Sequence, residues 1–142
     1  VLERLHEHIS DELRVNTRTD TIFVITAIVF NFVMLAISST QASEAADIYN
    51  ENTTTPTVVL IITMVVTVIV TGIAVVGLYT GRATRQKLTT GLLQMYKDAE
   101  IDQYYDESLL TNYMRRYVMF TAIIALLGVT AILIPLVILF TS

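Results

Sequence analysis

Cysteine and tryptophan are absent from the 142 residues, and proline occurs only twice. Without cysteine there is no disulfide framework, no thiolate zinc site, no iron–sulfur cluster and no thiol nucleophile. Without tryptophan, aromatic anchoring at a membrane surface falls to tyrosine, of which there are seven. Charge is scarce too: 15% of residues are Asp, Glu, Lys or Arg, against 54% hydrophobic. A water-soluble domain has about 25% charged and about 45–50% apolar residues. The mean hydropathy of +0.62 therefore points to a membrane. A net charge of −4 gives no overall basic character for nucleic-acid binding.

The charges that exist are segregated. No ionisable side chain lies between Asp20 and Glu44, where residues 21–39 read TIFVITAIVFNFVMLAISS. A second uncharged run lies between Glu51 and Arg82, and nothing after Arg116 is charged. A hydrocarbon core of about 30 Å needs roughly 20 helical residues, and each run is long enough. Val, Ile and Thr dominate these runs, which in water would suggest buried strands. In lipid, uncharged runs of this length without period-two alternation are helices. The first run is too long for a cleaved leader and follows a polar, acid-rich segment. The expected organisation is a segment at 1–20, spans at 21–40, 57–81 and 117–142, a loop at 41–56 and a helical hairpin at 82–116.

Orientation follows from Lys and Arg. Three arginines precede the first span, and the other six basic residues lie between the second and third. The 41–56 loop has none and carries net −3. The N-terminus and the 82–116 segment are thus expected in the cytoplasm, with the 41–56 loop and the C-terminus outside, in a multi-pass protein of the cell membrane.

At the N-terminus, Leu2, Leu5, Ile9 and Leu13 recur at helical spacing. They predict a separate amphipathic helix, ended by a break at 16–20 (NTRTD), with Thr19 or Asp20 capping the first span. Five acids against three arginines favour docking on a protein surface over lying on lipid. Leu88, Leu92, Met95 and Tyr96 carry the second span's helical period on to about Asp98. Leu109, Leu110 and Tyr113 form a matching stripe before the third span, with Asp106 as its cap. These stems predict an antiparallel hairpin turning near 99–105, with Gly81 and Gly91 as potential bends. The fold expected is an all-α membrane protein with three spans, an N-terminal amphipathic helix and this hairpin.

Candidate chemistry is thin. Asp98, Glu100, Asp102 and Asp106 alternate like the start of a calcium loop, where oxygens at positions 1, 3 and 5 converge. Gln103 stands where such a loop needs Gly, and Leu109 where it needs Glu, so an EF-hand is excluded. The four remain weak metal candidates, with a solvated turn as the simpler reading. His6 and His8 point apart on a helix and form no zinc motif. Asn52-Thr53-Thr54 fits the N-glycosylation tripeptide on the side expected to be outside.

The polar residues inside the spans carry more. Thr63, Thr67 and Thr71 lie four apart, Gly72 and Gly77 follow, and Asn31 and Gly128 mark the small or polar faces of the other spans. One reading is close helix packing, in which small residues let backbones approach and hydroxyls bond across. The other is a pore lined by these groups in an oligomer. No span contains Asp, Glu, Lys, Arg or His, whereas proton relays, ion-coupled carriers and voltage sensors use such groups. No cofactor motif is present. The function expected is non-enzymatic: helix packing as a homo-oligomer or as a subunit of a membrane assembly, in contact with the bilayer. A homo-oligomeric channel is the first alternative. A membrane-insertion or chaperone factor, with its hairpin holding clients, is the second.

Overall fold

The computed structural model describes residues 2–47, 49, 51–100 and 108–141. Their regular structure is three helices: α1 (Leu2–Ala46), α2 (Thr54–Asp98) and α3 (Ser108–Thr141). All three are apolar and long enough to cross a membrane. With 45 residues each, α1 and α2 are about 67 Å long at 1.5 Å per residue, roughly twice the thickness of a bilayer core. Each helix packs against both others. The start of α1, the end of α2 and the start of α3 meet at one end of the bundle, so all nine Lys and Arg residues gather there.

The expected fourth helix is not formed. Instead of a separate amphipathic helix over 1–20, α1 runs without interruption from Leu2 to Ala46. The residues that suggested a break are accommodated inside the helix. Hydroxyls of Thr17, Thr19 and Thr21 donate to the carbonyls of Leu13, Val15 and Thr17, at 2.9, 3.0 and 2.9 Å. Asn16 and Asp20 bond to other helices rather than capping their own. Part of the apolar stripe of the N-terminal segment has its partner in this chain: Ile9 and Leu13 are half-buried, as α1 runs beside the part of α2 that buries Thr89, Leu92 and Met95. Leu5, the next stripe position toward the start of α1, remains 47% exposed.

Helix α2 is likewise unbroken through Gly81 and Gly91. It closes at Ala99, whose N–H reaches the Met95 carbonyl at 3.1 Å, and at Glu100, with φ 58. A left-handed residue just past a helix end is a common way of terminating it. The rest of the expected 99–105 turn and the Asp106 cap lie outside the described residues.

The interior is small and partly polar, whereas the outer surface is large and apolar. Buried positions on α2 include Leu60, Thr67, Ala74 and Gly81, and on α3 Tyr117, Ile124 and Ala131, each set spaced by seven. That repeat keeps one seam facing its neighbours when helices pack at a shallow angle. Val24, Ala27, Ala74, Leu78, Tyr117 and Ile124 form one core cluster. Ile25, Val29, Ile61, Val68, Ile73 and Val129 stand exposed on the outside. In lipid the outer face gains nothing by being buried, so association rests on close packing and hydrogen bonds at small residues.

Candidate functional site

Cross-helix polar contacts step along the seam between α1 and α2. Toward the end of the span near the 41–56 loop, the Ser38 hydroxyl donates to Thr63 Oγ1 at 3.2 Å. Thr63 turns its own hydroxyl back onto the Val59 carbonyl at 3.0 Å. One turn further, Thr67 donates to the Thr63 carbonyl at 2.7 Å. Next, Thr71 Oγ1 donates to Asn31 Oδ1 at 3.2 Å, and Asn31 Nδ2 donates to the Ala27 carbonyl at 2.8 Å. Asn31, Ser38 and Thr67 are no more than 1% exposed. An unpaired amide or hydroxyl at such depth costs about 1–3 kcal/mol. Among the described residues, no buried side-chain nitrogen or oxygen lacks a partner.

Where the apolar core ends, all three helices contribute. Asn16 Nδ2 donates to the Gly81 carbonyl at 3.2 Å and lies 3.5 Å from the Tyr117 hydroxyl. Tyr117 donates to the Asp20 carboxylate. Arg85 donates to Thr17 Oγ1 at 2.6 Å, and its guanidinium lies 4.1 Å from the centre of the Tyr113 ring. Beyond this belt, near the start of α1, the Tyr96 hydroxyl and His6 Nδ1 are 3.4 Å apart, with ring centroids at 5.8 Å.

These contacts keep a common register. Eleven residues separate His6 from Thr17, and eleven separate Arg85 from Tyr96. Fourteen separate Thr17 from Asn31, and fourteen separate Thr71 from Arg85. Seven separate Asn31 from Ser38, against eight from Thr63 to Thr71. The α1–α2 seam is thus one antiparallel pairing that leaves the apolar core without changing register.

The glycines do different things. A Cβ on Gly128 would stand 2.6 Å from Thr71 Cγ2 and 3.0 Å from its Oγ1, so α3 approaches α2 where only hydrogen fits. At Gly81 a Cβ would run into the Asp20 carboxylate. Gly77 meets the Phe23 ring at an ordinary 3.5 Å, and Gly72 faces open space. Gly72 and Gly77 flank an outward apolar groove of about 510 Å³, with Phe23, Val68, Ile73 and Val76 among its walls.

The remaining candidates are not drawn together. Asp98 and Glu100 are exposed beside the end of α2, while Asp102 and Asp106 lie outside the described residues. Among the described residues no three His, Cys, Asp or Glu side chains converge as metal ligands would. Asn52 is exposed just before α2, its Oδ1 accepting from the Thr55 N–H at 3.4 Å and its Nδ2 lying 3.2 Å from Thr55 Oγ1. Sequence marks 16–20 as a break, Asp20 as a cap and Gly81 as a bend, but does not bring Asn16, Thr17, Asp20, Gly81, Arg85 and Tyr117 together as a belt. Its signal was three polar positions, 16, 17 and 20, offset by three and four on what turns out to be one helix. In comparisons with known proteins, the chain matches no family, no curated protein and no solved structure.

Proposed function

We propose that this protein is a non-enzymatic integral membrane protein that works by helix packing, as a homo-oligomer or as a subunit of a membrane assembly. The observation that carries this reading is the division between its two surfaces. Inside, the polar groups of the spans are occupied with one another. Outside, the spans offer apolar side chains and one groove, at Gly72 and Gly77 on α2, where a backbone can come close. Only 22%, 17% and 22% of the three spans' most apolar stretches are buried within the chain, leaving most of their surface for lipid or other helices. Small-residue grooves are the usual meeting place of membrane helices.

The channel alternative draws less support. Asn31, Thr63, Thr67 and Thr71 are buried or half-buried in this bundle and bonded there, so they are not on its outer face. No observation favours client holding by the 82–116 segment. In orientation, the end of the bundle that gathers every Lys and Arg is assigned to the cytoplasm, as the distribution of positive charge directs.

Chemical cross-linking and native mass measurement in mild detergent test the packing reading. The wild-type chain is expected to give a defined multimer, and Gly72→Leu, which fills the groove without touching the interior, to reduce it at least tenfold. A wild-type chain that remains strictly monomeric, or a multimer indifferent to Gly72→Leu, would contradict self-association through this face.

A further inference from the structure

We propose that the cleft between Arg85 and Arg116 binds the phosphodiester headgroup of an anionic phospholipid. Its walls come from α1, α2 and α3: Thr17, Asp20 and Thr21, Arg85, and Tyr113, Arg116, Tyr117 and Phe120 line a space of about 60 Å³, two arginines against one carboxylate. That is room for a phosphate-sized group.

The level of the cleft favours a lipid. Asp20 is the last ionisable residue before the first uncharged run, Arg82 the first after the second, and Arg116 the last before the third. The cleft therefore sits where hydrocarbon gives way to headgroups. Around it, positions 16–20, 81–85 and 113–117 hold five arginines, Arg18, Arg82, Arg85, Arg115 and Arg116, against one acid, Asp20. Among the described residues the only carboxylate within 4.0 Å of a basic group is Asp11, beside Arg14 and outside this belt. Asp20 accepts from Tyr117 and also feels the charge of Arg85, so it offsets part of that arginine's charge; none of the other four is paired with a described carboxylate within 4.0 Å. Juxtamembrane clusters of four to eight basic residues attract anionic lipids.

Geometry adds a defined place to that general attraction. Arg85 is fixed on one side by the Thr17 hydroxyl and stacked on Tyr113, so its orientation is set before a ligand arrives. Arg116 lies over Phe120, 5.9 Å from the ring centre, and forms the second arm of a clamp. Guanidinium donors match phosphate oxygens in pairs. Phe120, one turn further into the span than Arg116, supplies apolar surface for an acyl chain.

The full-length protein in mild detergent provides the test, with retained lipid read by native mass spectrometry. Phosphatidylglycerol is expected to persist as a one-to-one adduct under conditions that strip phosphatidylcholine. Arg85→Gln with Arg116→Gln should weaken that adduct at least tenfold. Arg116→Gln alone, which removes no hydrogen bond within the protein, should weaken it several-fold and guards against loss of folding in the double variant. Arg4→Gln with Lys97→Gln removes the same charge further from the core and should leave the adduct intact. Equal retention of both lipids, or equal loss in the Arg4/Lys97 variant, would overturn the site. Displacement of the lipid by millimolar inorganic phosphate would also overturn it, by showing a free-phosphate site.

Discussion

Gly128→Ala is expected to lower the stability of the bundle by about 1–3 kcal/mol, the usual cost of forcing a methyl group into a packed interior. The reason lies on the facing helix. The added carbon would stand 2.6 Å from Thr71 Cγ2 and 3.0 Å from Thr71 Oγ1. Thr71 cannot readily turn aside: a β-branched side chain has few rotamers in a helix, and its hydroxyl is committed to Asn31. Either α3 moves off α2 or the Thr71–Asn31 bond breaks, and both loosen the centre of the span. Thr71→Ser in the same chain removes the colliding methyl but keeps the hydroxyl, so it should recover much of the loss. Thermal unfolding in mild detergent measures both effects. A Gly128→Ala protein as stable as the wild type would mean that α3 does not approach α2 this closely.

Tyr117→Phe is expected to cost about 1.5–3 kcal/mol, the range for a hydrogen bond to a charged group. Tyr117 is 7% exposed, and its hydroxyl donates to Asp20 while lying within reach of Asn16. Removing one oxygen leaves the Asp20 carboxylate without that donor at the edge of the hydrocarbon. Truncating both partners separates this bond from general packing. In an Asp20→Ala background, Tyr117→Phe should cost little, giving a coupling energy above about 1 kcal/mol. A full cost in that background would assign the loss to repacking of the ring.

The three spans could be read from sequence because a missing charge is a local signal: no contact with a distant residue is needed to see that 21–43 or 117–142 cannot face water. The Thr63/Thr67/Thr71 stripe and Asn31 were visible for the same reason, as polar residues repeating on one helical face. That they bond one another was not visible, since forty residues separate Asn31 from Thr71. The N-terminal segment shows the opposite failure. Asn, Thr and Asp end helices in water because their side chains compete for nearby backbone groups. Here Asn16 and Asp20 find partners 65 and 97 residues away, and the helix has no cause to stop. Gly81 suggests a bend because glycine weakens a helix by about 1 kcal/mol relative to Ala. It lies in straight helical sequence, and what requires it is the Asp20 carboxylate on another helix.

One continuous register between α1 and α2, carried past the end of the apolar core to His6 and Tyr96, underlies both the three-helix fold and the belt. It can be measured directly because the chain has no cysteine of its own. His6→Cys paired with Tyr96→Cys is expected to cross-link with a short thiol-specific reagent as efficiently as Ser38→Cys paired with Thr63→Cys. His6→Cys paired with Thr89→Cys, offset by seven residues or about 10 Å along α2, should stay unlinked. Cross-linking at Ser38/Thr63 but none at His6/Tyr96 would mean that the N-terminal segment leaves α2, and the continuous helix pair would be wrong.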